Sequence, residues 1–222
     1  MAQCLFEQKK LEEGASELAA YLQAEPNDAA ARIERASALV DTGKNDDALA
    51  ELDRAAAEEP EGLHALKLRS QIYWEKKQYD EAVPVLLKAA ALAPRDQEIP
   101  ARLGQVYLKK KDYPNAGHWL TLAYNMNPNG TDLLAELVDV AYLNKNYSGA
   151  LDALDILSKR QELPASSWYT RAACYDNLGQ AAQALEAYQR FLQLNKDENS
   201  DMYFISTARV RVLTRELQNK KR

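Results

Sequence analysis

The chain has 222 residues with a net charge of −5, is 46% hydrophobic and 27% charged, and is rich in Ala, Leu, Glu, Lys and Gln, the residues that favour helices over sheets. An acidic balance, with a sequence pI near 5.3, gives no basic footprint for a nucleic-acid backbone and so argues against nucleic-acid binding. No run approaches the ~18 apolar residues of a membrane span, and MAQCLFEQKK lacks the apolar core of a secretory signal.

In chain order, the segment from Met1 to Pro26 predicts the end of a first helix and a second helix carrying Leu11, Leu18, Tyr21 and Leu22. Asn27 and Asp28 then supply a cap for the next helix. Helix pairs follow at 29–62, 63–96, 97–130, 131–164 and 165–198, and a single last helix occupies 199–222. Pro26, Pro60, Pro94 and Pro128 recur at a step of 34 residues.

The same step aligns a small residue in each first helix (Ala2, Ala36, Ser70, Gly104, Val138, Ala172) and in each second helix (Gly14, Ala48, Ala82, Ala116, Ala150, Ala184). Bulky positions align beside them: Leu5, Leu39, Tyr73, Tyr107, Ala141 and Tyr175 in first helices, Leu18, Leu52, Leu86, Leu120, Leu154 and Tyr188 in second helices. Small residues let two helices of a hairpin approach closely, and the bulky ones fill the flanks. The fifth repeat exchanges the order, with Val138 then Ala141, an exchange that roughly conserves volume on one face; it closes on Glu162 with Pro164 beyond, and an altered hairpin geometry is expected there. Turns between paired helices carry Gly43 and Gly179, with Lys77, Lys111 and Lys145 at the equivalent places; Pro84 lies deep enough in a second helix to distort its start.

After Lys196, a polar stretch precedes a closing helix. Met202, Ile205, Ala208, Val212, Leu213 and Leu217 are expected inside, and Arg209, Arg211, Arg215, Lys220, Lys221 and Arg222 toward solvent. Cys4 and Cys174 stand in the first and last repeats, too far apart along an array for a disulfide, and Cys174 reads as a buried free thiol.

The 34-residue step with its small, bulky, small, bulky and Pro positions, together with Leu103-Gly104, Tyr107 and Trp168, resembles the tetratricopeptide repeat over nearly the whole chain. The resemblance implies an all-α solenoid of stacked helix-turn-helix repeats forming one array, closed by a capping helix. It implies a non-enzymatic adaptor or scaffold, without cofactor or metal, monomeric, holding a protein or peptide in the groove lined by first helices. By carry-over that groove presents Lys67, Gln71, Trp74, Arg102, Gln105 and Lys109 as a basic, aromatic stretch and Asp132, Glu136, Asp139, Tyr142, Tyr169, Thr170 and Asp176 as an acidic, aromatic one. Such a lining suits a peptide, with rings as anchors and charges setting direction.

The co-chaperone clamp for a terminal carboxylate does not fit. Of its matching positions Lys67, Gln71, Arg102, Asp132 and Glu136, only Lys67 agrees, and Asp132 and Glu136 would repel a carboxylate. Chemistry is otherwise unsignalled: His64 and His118 lack companions at metal-ligand spacing, and no phosphate loop or nucleophile motif occurs. Counting back from Pro26 places Met1 in mid-helix, the pattern of a piece of a longer protein, in which the array would serve as a spacer or regulatory portion of an enzyme or membrane-assembly factor.

Overall fold

A computed structural model describes residues 2, 5 and 10–219. The expectations for Cys4, for the cations at 220–222 and for the start at Met1 lie outside these residues. The described residues form twelve α-helices: α1 (Leu11–Ala24), α2 (Ala29–Asp41), α3 (Asn45–Glu58), α4 (Leu63–Glu75), α5 (Tyr79–Leu92), α6 (Glu98–Lys109), α7 (Tyr113–Met126), α8 (Thr131–Leu143), α9 (Tyr147–Ser158), α10 (Ala165–Asn177), α11 (Ala181–Leu194) and α12 (Asp201–Asn219). None is long and apolar enough to cross a membrane. The chain is an all-α stack of helix-turn-helix repeats, and its contacts gather into two compact units that divide between Lys110 and Lys111.

In the first unit the hairpins α2–α3 and α4–α5 close around the residues aligned by the 34-residue step. Ala36, Ala48, Leu52 and Ala82 are fully buried, and Leu39 and Ile72 join the same core as Ala65 and Leu68. In the second unit Leu134, Val138, Leu154, Leu157 and Leu163 pack with Trp168, while Ala172, Ala184, Ala187 and Tyr188 pack against Leu213 of α12. The small column of second helices (Ala48, Ala82, Ala116, Ala150, Ala184) has no exposed surface at any of its five positions, because each faces the partner helix at the closest approach.

Local signals end and start these helices. Asp28 Oδ1 accepts from Ala31 N–H at 2.9 Å, the cap expected at α2. Asn146 Oδ1 accepts from Gly149 N–H at 3.1 Å and so caps α9. The hairpin turns place Gly43, Lys77, Lys111, Lys145 and Gly179 at φ between 57° and 75°, so three lysines accept the left-handed backbone that glycine takes freely. The helix α5 runs unbroken through Pro84.

The exchange of Val138 and Ala141 leaves α8 and α9 paired, and the altered geometry expected of this repeat falls at its close, where α9 has 12 residues against 14 in α3, α5, α7 and α11. A pocket of about 450 Å3 opens between α7, α8 and α9, lined by Gly117, Tyr124, Val140, Ala141 and Ile156 among others. Gly117 and Ala141 stand where the other full repeats carry Leu49, Val83, Leu151 and Leu185, and Leu39, Tyr73, Tyr107 and Tyr175.

The inner face of α12 keeps the expected Leu213, with Leu217 half-buried, but the rest of it is not the one expected. Ser206 and Leu213 are buried with Tyr203, Thr207, Val210 and Thr214 beside them, whereas Met202, Ile205, Ala208 and Val212 are exposed. Arg209, expected in solvent, turns inward. Cys174 is fully buried, as expected of a packed thiol, and burial pushes its pKa up to about 11.

Candidate functional site

In the first unit the face made by the first helices α4 and α6 carries a pocket of about 440 Å3. Its floor is Leu86, Ile99 and Ala101, and its rim is Lys67, Ser70, Gln71, Glu98, Arg102 and Gln105. Four of the residues expected to line a groove here, Lys67, Gln71, Arg102 and Gln105, are therefore brought together. Trp74 adjoins them: the Arg102 guanidinium lies 5.2 Å over its ring, and Tyr79 meets that ring edge-on at 5.6 Å. A cation held over an aromatic face keeps its N–H edge free to point outward. One such edge atom, Arg102 Nη1, lies 3.5 Å from Gln105 Oε1.

Lys67 has a different role from the one its charge suggests. Its ammonium sits 2.6 Å from Asp96 Oδ2 and 3.1 Å from Glu98 Oε2. The hydrogen bond with Asp96 raises the lysine's pKa and lowers that of Asp96. Two carboxylates thus offset this ammonium, and the positive character of the face rests on Arg102 and on exposed Lys109. Gln71 Nε2 donates to Glu75 Oε1 at 3.0 Å, and Asn45 Nδ2 donates to the other oxygen of Glu75 at 2.8 Å, so the amide of Gln71 is held in place from the far end.

In the second unit, α8 presents Asp132 and Asp139 on exposed positions, with half-buried Glu136 between them and half-buried Tyr142 a turn beyond. Asp139 keeps exposed surface, yet crowding of its carboxyl by the helices around it raises its pKa above the usual carboxylate range. The Tyr142 ring lies 5.9 Å from Tyr147. Tyr169 packs edge-on against Phe191 at 5.5 Å and Tyr188 at 6.2 Å, so its ring is largely committed to the α10–α11 hairpin. Thr170 Oγ1 donates back to Ser166 C=O at 3.2 Å.

Asp176 is engaged elsewhere. It accepts a two-pronged contact from Arg209, Nε at 2.7 Å and Nη2 at 2.6 Å, and the Tyr188 hydroxyl donates to it at 3.3 Å. This is a forked guanidinium–carboxylate clamp fastening α12 to α10. Sequence reading missed Arg209 because helical periodicity placed it on the solvent side; its spacing of 33 residues from Asp176, close to the repeat step, was the available signal.

Family models described as tetratricopeptide repeat match residues 33–97 and 165–198. The chain is a tetratricopeptide repeat protein. Among solved structures, it is similar to YrrB, described as a tetratricopeptide repeat protein with an unusual peptide-binding site (19% identity, 87% of this chain and 99% of that one, TM-score 0.75). It is also similar to pilF of Pseudomonas aeruginosa (20% identity, 93% of each chain, TM-score 0.64) and to MamA of Desulfovibrio magneticus (20% identity, 73% of this chain and 93% of that one, TM-score 0.66). At these identities the likeness is one of fold. No curated protein matches the sequence significantly. As a tetratricopeptide repeat array, the protein is a scaffold for protein interaction.

Proposed function

We propose that this tetratricopeptide repeat protein is a non-enzymatic adaptor that seats a peptide segment of a partner on the faces of its first helices. The observation that carries the reading is the pocket at Gln71, Arg102 and Gln105, whose apolar floor lies beneath a guanidinium already oriented by Trp74. An extended segment can lay an apolar side chain on Leu86 and Ile99, pair its backbone amides with Gln71 and Gln105, and place a carbonyl or carboxylate against Arg102. Holding the guanidinium in advance reduces the ordering cost of binding. In the second unit the exposed Asp132 and Asp139 with Tyr142 suit a basic residue of a peptide beside an aromatic contact. The peptide-binding site ascribed to YrrB supports a peptide as the type of occupant.

A displayed peptide library selected on the full chain tests this. Peptides enriched on the wild type are expected to lose about tenfold or more in affinity for Arg102→Glu, the size of a buried charge-assisted contact reversed in sign. They should keep their affinity for His118→Ala, an exposed side chain on the second helix α7. Equal binding to wild type and Arg102→Glu, or no enriched peptide at all, contradicts the proposal.

A further inference from the structure

The last helix carries two apolar faces, and the fold uses one. Val210 and Leu213 pack with α10 and α11, Ser206 is buried and Tyr203 half-buried on the same helix, and the Arg209–Asp176 clamp fixes that rotation. The other face stays open: Phe204 is 61% exposed, Ile205 47% and Val212 40%. A closing helix normally presents polar residues to water, so a row of apolar side chains there calls for a cover.

The order of residues on this open face says what kind of cover it fits. Exposed Ala208 stands at the centre. Phe204 lies four residues before it and Val212 four after; Asp201 lies seven before it and Arg215 seven after. All of these share one helical face. Asp201 and Arg215 are exposed and have no hydrogen-bond or ion-pair partner among the described residues. An antiparallel copy of the same helix, related by a two-fold axis through Ala208, therefore meets apolar with apolar and carboxylate with guanidinium, twice over.

We propose that a second copy of this chain docks antiparallel along α12 through a two-fold interface centred on Ala208. The small side chain at the centre allows close approach of the two helices. Phe204 packs on the second copy's Val212, and Asp201 pairs with the second copy's Arg215. A two-fold contact of this kind is closed and self-limiting, giving a dimer in place of the monomer expected from sequence. One helix face buries less than the roughly 1,200 Å2 of a standard interface, so the dimer is weak and depends on concentration. The proposal stands apart from the peptide seat, since neither α4 nor α6 takes part in it.

Sedimentation velocity of the full chain from about 10 µM to about 1 mM, a range that spans weak association, provides the test. The wild type is expected to rise from the 24.9 kDa monomer toward twice that mass. Phe204→Glu should hold the monomer across the range. Asp201→Arg and Arg215→Asp singly should each weaken association by about tenfold, because two symmetric pairs then oppose like charges. The two charge reversals together should restore it. The altered side chains are all exposed, so helicity by circular dichroism should match the wild type in every case. A wild type that stays at 24.9 kDa at the highest concentration, association unchanged by Phe204→Glu, or a double reversal that fails to restore it overturns the proposal.

Discussion

Glu51→Ala is expected to lower the free energy of unfolding by about 3 kcal/mol, the scale for removing one partner of a buried ion pair. The Glu51 side chain is only 3% exposed and gathers three guanidinium groups: Arg32 at 2.8 Å, Arg35 at 2.5 Å and Arg54 at 3.1 Å. Arg54 is mostly exposed and contributes little. Arg32 and Arg35 are the partners left with uncompensated charge. They also reach back along the chain, Arg32 Nε to Pro26 C=O at 3.1 Å and Arg35 Nε to Ala15 C=O at 3.3 Å, so the one carboxylate ties α3 to α2 and, through α2, to α1. Glu51→Gln retains the shape and should lose roughly half as much, since a neutral acceptor still pairs with one guanidinium. Urea unfolding followed by circular dichroism measures both. A loss within about 0.5 kcal/mol for the alanine variant, the range of an ordinary surface change, contradicts the assignment.

Ala150→Leu is expected to cost about 1–3 kcal/mol through overpacking. Ala150 has no exposed surface and is packed together with Leu151 and Cys174, with Ala141, Tyr142, Tyr147 and Tyr175 beside them. It holds the closest point of the α8–α9 hairpin, and added methyl groups must push α9 outward or force neighbouring rings from their rotamers. A matched change at exposed Ala182 should be near neutral. Thermal unfolding of the two variants compares them, and equal midpoints would show that the small column is not a packing constraint.

The helix pairs were legible because the constraint repeats. Gly14, Ala48, Ala82, Ala116, Ala150 and Ala184 recur where a hairpin must be thin, and a 34-residue register exposes that without reference to coordinates. The turns were legible for the same reason: the register sets Lys77, Lys111 and Lys145 in the places of Gly43 and Gly179, and all five take positive φ. What repetition does not specify was read less well. On α12 two rows at helical spacing compete, and the apolar count favours Met202, Ile205 and Val212. The row chosen instead contains Ser206 and the inward-turned Arg209, because Asp176 of the preceding hairpin supplies the partner of that guanidinium. That long-range match outweighs the local apolar pattern and is invisible in a single helix. The candidate site shows the same division. The family resemblance grouped Gln71, Trp74, Arg102 and Gln105, but the neutralising of Lys67 depends on Asp96 and Glu98 across the inter-repeat loop, and the loss of Asp176 to a clamp depends on Arg209.

The peptide seat in the first unit is tested most directly by nuclear magnetic resonance. A selected peptide is titrated into the isotopically labelled full chain, and the backbone amides and the Trp74 indole N–H are followed. A seat at this site predicts shifts concentrated on Gln71, Trp74, Arg102 and Gln105, with the indole moving as Arg102 engages the peptide above it. Shifts concentrated instead on the second helices, at exposed Leu87 and Leu92 of α5 for example, with α4 and α6 unmoved, would contradict it.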